Sequence, residues 1–166
     1  NGPPGSGKSF LADLLIKDLL MNPTDSFKNC ESVRYCYKFD PTSPNMFFST
    51  LHKRCKLDEN CRLIVLMDEI DSILSKIDHD KVISSSKEFP HEILNKTMWN
   101  RFLDEFDRGY YPWVTLIMTT NKSFKEIDSL DASFTRPKRV DLRFELLENG
   151  EVFQQVPNKD FTKWLS

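Results

Sequence analysis

Little in this 166-residue sequence points to a membrane or a nucleic acid. Its longest unbroken apolar run, Leu63-Ile64-Val65-Leu66-Met67, is five residues, whereas a bilayer span needs about 20. Positive charge is not in excess: 23 Lys and Arg stand against 25 Asp and Glu, a net charge of −2. No global positive field therefore attracts nucleic acid or anionic lipid. Cysteine is scarce, and Cys30, Cys36, Cys55 and Cys61 form no C-x2-C pair, which argues against a zinc site. A chain of this length folds without disulfide staples, so reduced thiols and an intracellular, by preference cytoplasmic, setting are expected. The triplets Asn95-Lys96-Thr97 and Asn121-Lys122-Ser123 would carry glycans only in a secreted protein. No signal segment, internal repeat or low-complexity stretch is visible. Core material is plentiful: 13 Phe, 3 Trp and 4 Tyr, with 39% hydrophobic residues, suffice for one folded domain.

The most informative segment is Gly2-Pro3-Pro4-Gly5-Ser6-Gly7-Lys8-Ser9, which fits G-x-x-x-x-G-K-[ST]. Glycines let the backbone turn its N–H groups onto phosphate oxygens. Pro3 and Pro4 stiffen the approach, Lys8 reaches the β- and γ-phosphates, and Ser9 offers a hydroxyl to Mg2+. The helix expected over 10–21 adds its positive N-terminal end. Its stripe Leu11, Leu14, Leu15, Leu19 predicts one buried face, and Asn22-Pro23 a stop. A chance match to the four fixed positions arises in roughly one such chain in a hundred.

The apolar run 61–67 reads as a strand buried on both faces of a parallel sheet. Asp68 and Glu69 follow at its carboxyl end, where α/β sheets bind ligands. Asp68 suits Mg2+, directly or through water, and Glu69 suits orientation of the water that attacks a γ-phosphate. The structural alternative is an acidic N-cap for a helix over 71–77, a role better suited to Asp71. Further strands are expected at 32–39, 113–119 and 140–146. Helices are expected from the Ser43-Pro44 cap pair to about 55 and over 91–106, the latter ended by Gly109. Residues 84–87 read as a loop. Asn149-Gly150 between two strand-like runs signals a hairpin. Alternation of strands and helices predicts an α/β fold with all four strands parallel.

Taken together, these motifs resemble the AAA family of ATPases over roughly residues 1–146. GPPGSGKS looks like its Walker A and LIVLMDEID like its Walker B. TLIMTTN resembles the sensor-1 strand, with Asn121 at the sensor position. Residues 130–141 are similar to the second region of homology, whose two arginines act on the γ-phosphate of the neighbouring subunit; that implies Arg136 and Arg139. TTN followed by RP-x-RVDL looks closest to the mitochondrial Rieske-protein translocase branch, while DEID matches the wider family. The resemblance implies a P-loop NTPase three-layer α/β sandwich with a mainly parallel sheet. Residues 1–148 would form the ATP-binding and hydrolysis subdomain and 149–166 a tail or hairpin extension. It also implies ATP and Mg2+ as ligands, a homo-oligomeric ring, by preference a hexamer, and a protein client to remodel or translocate. The sequence departs from the family at Lys138, where glycine is usual. The strand before Asn1 and the helical lid, with its sensor 2, are both lacking. Met46-Phe47-Phe48 lies near the position of the aromatic substrate loop but lacks its glycine, so a core role is expected.

Structural readings remain beside these. Asn121 also suits a strand-end turn, Arg136 a solvated loop charge, and Arg139 a surface or interdomain ion pair. A nucleic-acid helicase is the rival enzyme, because Asp68-Glu69-Ile70-Asp71 fits D-E-x-D, although no second motor domain is present. A nucleotide-binding scaffold without turnover is the non-enzymatic rival.

Overall fold

The computed structural model describes residues 1–21, 30–79, 82, 90–136, 139–147 and 152–155. In chain order these give α1 (Lys8–Met21), β1 (Ser32–Cys36), α2 (Phe48–Cys55), β2 (Cys61–Met67), α3 (Ile70–Asp78), α4 (Lys96–Asp107), β3 (Val114–Met118), α5 (Phe124–Leu130), β4 (Arg143–Leu146) and β5 (Val152–Gln155). The expected helix stop at 22–23, the loop 84–87, Lys138, the Asn149-Gly150 turn and the tail 156–166 lie outside the described residues.

β1, β2 and β3 form a parallel sheet with β2 in the middle. The molecule is thus α/β with helices flanking a parallel sheet, as the sequence predicts. Leu63 to Met67 are all buried. Because side chains alternate across a strand, Leu63, Val65 and Met67 join one core cluster with residues of α3 and α4. α1 packs against β1 and β2, and none of its described side chains joins that cluster. Aromatic rings fill the centre. Phe48, fully buried, meets Phe39 and Phe102 edge-on at 5.5 Å, Phe106 at 5.0 Å and Tyr111 at 4.7 Å. Phe48 is therefore a core residue, as its lack of a neighbouring glycine suggests. No helix among the described residues is long and apolar enough to cross a membrane.

Four local expectations need correction. First, β4 does not join the parallel sheet among the described residues. It pairs antiparallel with β5, in the register Arg143↔Gln155 to Leu146↔Val152. Asn1 occupies its other edge, donating its amine to Phe144 O at 2.6 Å and accepting from Leu146 N at 2.8 Å. With both edges taken, β4 has no row of groups left for β3. The β4–β5 pairing is the one the hairpin signal implies. Second, the leucine stripe of α1 is exposed where it is described. Leu11 and Leu14 are 47% exposed and Leu15 38%, while the Leu19 side chain lies outside the described residues.

Third, β1 ends at Cys36 rather than 39, because Lys38 turns the chain with φ 59°. Phe39 is still buried, and its N–H returns to Leu66 O at 2.8 Å. Fourth, α2 starts at Phe48, not at the Ser43-Pro44 pair. The Asp40 carboxylate captures Thr42 N at 2.8 Å, Thr42 Oγ1 at 2.6 Å and Ser43 Oγ at 3.1 Å, winding that segment into turns. α4 similarly starts at Lys96. Asn95 caps it by accepting from Met98 N at 3.0 Å, while the preceding residues bind the 41–45 turns through Ile93 N to Pro41 O at 3.1 Å and Asn45 N to Pro90 O at 2.8 Å. Of the residues spaced for its inner face, Trp99, Phe102 and Leu103 are buried and Phe106 is half-buried.

The cap of α2 comes from a distance. Glu92 accepts from Phe48 N at 2.9 Å. Burial pushes its carboxyl from 4.5 up to about 7, against the opposing pull of the Phe48 amide bond. A raised carboxyl favours the protonated form in the fold. Its contribution is therefore greatest below the unfolded value of about 4.5 and is lost as pH rises to about 7. Urea denaturation is expected to show stability falling across that window, and Glu92→Gln, which keeps an acceptor for Phe48 but no charge, is expected to remove the slope. An unaltered slope in the variant would refute the assignment.

Candidate functional site

The phosphate-loop residues lie ahead of α1 and beside β4. α1 begins at Lys8, two residues earlier than expected, since Gly7 O already accepts from Leu11 N at 2.9 Å. The first helical N–H groups thus adjoin the loop, as an anion site requires. Gly5 and Gly7 have φ of 76° and 82°, with nothing within 4 Å of where a Cβ would stand. Gly2 is the opposite case. A Cβ there would meet Leu146 O at 2.8 Å and Leu146 Cβ at 2.9 Å, so only glycine lets β4 approach. Pro3 and Pro4 carry the chain between them, and Ser6 N donates to Pro3 O at 3.3 Å.

Lys8 arches over this loop. Its Nζ donates to Gly2 O at 2.8 Å, Pro3 O at 2.7 Å and Ser6 Oγ at 3.3 Å. Desolvation lowers its pKa, and the charges of Asp68, Asp71 and Glu69 oppose that shift. The ammonium therefore lies in the field of the acidic strand end. A direct bond joins the two motifs: Ser9 Oγ donates to Asp68 Oδ1 at 2.8 Å. A hydroxyl and a carboxylate converging from α1 and β2 supply the hard oxygen donors that Mg2+ takes, so the residues fit the ion.

The parallel register sets the rest. Met67 pairs with Met118, so the residues just past each strand end meet. Thr119, 5% exposed, donates its hydroxyl to Asp68 Oδ1 and accepts from Glu69 N at 3.1 Å. Its backbone continues the ladder, with Thr119 N to Met67 O at 3.0 Å and Ile70 N to Thr119 O at 2.8 Å. Glu69 is exposed and sits in the left-handed region, φ 54° and ψ 50°, with no side-chain cap bond. Asp71 does not cap α3 in the expected way. It accepts Thr120 Oγ1 at 2.8 Å and Asn121 N at 3.3 Å, tying α3 to the end of β3. Asn121 is exposed and is held at this end of the sheet by its amide.

The arginines come from the segment after α5 and are paired with Asp104 of α4. Arg139, its side chain 4% exposed, forks onto Asp104 through Nε–Oδ1 at 2.7 Å and Nη2–Oδ2 at 3.1 Å. It also donates to Asn100 Oδ1 at 2.6 Å and to Ser133 O. These bonds, the Arg139 hydrogen bond first, hold the Asp104 carboxyl below its ordinary value. The Arg136 side chain is 55% exposed and pairs with Asp104 at 3.5 Å.

Sequence reasoning missed Thr119, Thr120 and α5. The α5 signal was present as Ser123-x-x-Glu126, which forms a full capping box. The two threonines fall inside TLIMTTN, where the resemblance gives a role to Asn121 alone, and the β2–β3 register is what brings them to the site.

The family described as ATPase family associated with various cellular activities (AAA) has a model that matches residues 1–147. Neither a curated protein nor a solved structure matches the chain.

Proposed function

We propose that this chain, which belongs to the AAA family of ATPases, binds ATP at its 2–9 loop and hydrolyses it in an Mg2+-dependent reaction at the carboxyl end of β2. The observation that carries the reading is the 2.8 Å bond from Ser9 Oγ to Asp68 Oδ1. It joins two motifs far apart in sequence into one oxygen-lined point beside a lysine.

In this reading Gly2, Pro3, Pro4, Gly5, Ser6 and Gly7 shape the cradle whose N–H groups bind the β- and γ-phosphates. Lys8 leaves its loop carbonyls for those phosphates. Ser9 and Asp68 hold Mg2+, which when bound neutralises charge developing on the phosphate oxygens. Glu69 takes the proton of the attacking water or orients that water. Asn121, beside the Thr120–Asp71 bond, fixes the water's far side. Arg136 has the exposure needed to stabilise the transition state of a neighbouring subunit, and Arg139 braces the segment that presents it.

Trans action requires a neighbouring subunit, which suits a homo-oligomeric ring, by resemblance to the family a hexamer, that spends hydrolysis on remodelling or translocating a protein client. TTN followed by RP-x-RVDL supports a place near the mitochondrial Rieske-protein translocase branch. Four unpaired cysteines support an intracellular setting, and the near-neutral charge supports a protein client over nucleic acid.

Nucleotide titration of the full-length protein tests the reading. ATP with Mg2+ at a hundred times its Kd is expected to stabilise the fold by about 2.7 kcal/mol, seen as a raised melting temperature. Lys8→Ala is expected to abolish that rise. No ATP-dependent rise in the unaltered protein would refute the reading, whereas a rise without turnover would leave the nucleotide-binding scaffold standing.

A further inference from the structure

We propose that Thr119 is a positioning residue for ATP hydrolysis, one hydroxyl setting both the Asp68 carboxylate and the Glu69 backbone; this rests on the reading above. Burial of a hydroxyl is costly unless its bonds are made. At 5% exposure this one makes two, donating to Asp68 Oδ1 and accepting from Glu69 N. A valine of the same shape would fill the space equally well, so packing alone does not call for threonine.

The two bonds act on different parts of the site. On Asp68, Thr119 and Ser9 both donate to the same oxygen, Oδ1. Thr119 thereby fixes the carboxylate from the sheet side, while Ser9 approaches from α1. Ligand carboxylates are held in this way by outer partners, which orient them toward the ion. On Glu69, the bond acts through the backbone. Glu69 occupies the left-handed region, which a side-chain-bearing residue leaves unless its surroundings hold it. Thr119 holds it on two sides, through Oγ1 to Glu69 N and through its carbonyl to Ile70 N at 2.8 Å. With the hydroxyl gone, Glu69 can relax toward helical geometry and lengthen α3 by a residue. Its carboxylate would then leave the direction it now takes. Thr119 thus couples the metal-holding and water-orienting residues, and the β2–β3 register is what brings it there.

The test compares Thr119→Val, which keeps the shape and loses the hydroxyl, with Thr119→Ser, which keeps the hydroxyl, both in the full-length protein. Thr119→Val is expected to lower kcat about 10–100-fold with KM for ATP little changed, and to raise the half-saturating Mg2+ concentration to a similar degree. ATP affinity in EDTA should stay within about twofold, while amide exchange at Glu69 and Ile70 in nucleotide-free protein quickens about tenfold. Thr119→Ser should restore kcat, the Mg2+ requirement and the exchange rate. A folded Thr119→Val with unchanged kcat, Mg2+ requirement and exchange overturns the proposal. So does loss of ATP affinity that is equal with and without Mg2+, or failure of serine to rescue, since either makes Thr119 a packing residue only. Should Thr119→Val not fold, Thr119→Cys, a weaker donor of similar volume, must give the same pattern in milder form, and wild-type behaviour there refutes the idea. An unaltered protein that binds ATP without hydrolysing it would defeat the hydrolytic reading alone; Mg2+-dependent affinity and amide exchange would still decide whether Thr119 positions these residues.

Discussion

Glu69→Gln in the full-length protein is expected to leave ATP binding intact and to lower turnover by about 10²–10⁴, the usual contribution of a positioned acid–base group. Glutamine matches glutamate in shape, and the interactions that place residue 69 run through its backbone: Glu69 N to Thr119 Oγ1 at 3.1 Å and Glu69 O accepting from Ser72 N at 2.9 Å. None of these involves the carboxylate. The Glu69 side chain is exposed at the carboxyl end of β2, without a cap bond to α3, so its removal disturbs no structural partner there. The loop residues and Lys8, which supply the affinity, are untouched. The checks are steady-state ATPase rates and nucleotide titration on the same preparation. Turnover equal to that of the unaltered protein would remove Glu69 from the chemistry. Lost ATP binding would show instead that its charge serves the fold of the loop, through the field that reaches Lys8.

What could be read from sequence followed from how locally each feature is determined. The loop 2–9 needs only its own glycines, lysine and serine. The strand 61–67 needs only five apolar residues in a row, and both stand where expected. The start of α2 depended on Asp40 binding Thr42 and Ser43 and on Glu92 reaching Phe48 from 44 positions away, which no local propensity encodes. The place of β4 depended on which edges were already occupied, by Asn1 and by β5. The leucines of α1 show a face suited to burial, but whether it is covered depends on what packs against it, which no local pattern encodes. Thr119 is the plainest case. In sequence it is one of two threonines after a strand, and its importance arises only when Met67 and Met118 come into register.

The two arginines should separate cleanly into stability and catalysis. Arg139→Ala is expected to destabilise the fold by about 1–3 kcal/mol, the usual cost of leaving partly buried polar partners unsatisfied. Its side chain is 4% exposed and answers Asp104, Asn100 and Ser133 together, so its loss removes several of the bonds that tie α4 to the chain after α5, beside those of Lys96 to Asp131 and Trp99 to Phe134. Arg139 also holds the Asp104 carboxyl below its ordinary 3.8. A depressed carboxyl gives stability that is present above its unfolded value and lost as pH falls. The variant should therefore lose part of the stability gained between acid and neutral pH. Arg136→Ala, at an exposed pair, should change stability by about 1 kcal/mol at most. If Arg136 acts in trans, the same variant should lower turnover of the assembled protein by about 10³–10⁵. Mixed assemblies make the distinction direct. A Glu69→Gln subunit keeps Arg136 and lacks its own chemistry, while an Arg136→Ala subunit keeps Glu69 and lacks the arginine it gives to a neighbour. Combined, each supplies what the other misses, and turnover should exceed that of either variant alone. No gain on mixing would assign Arg136 to its own subunit or to none. A catalytic loss in Arg139→Ala at unchanged stability would move the trans role to Arg139.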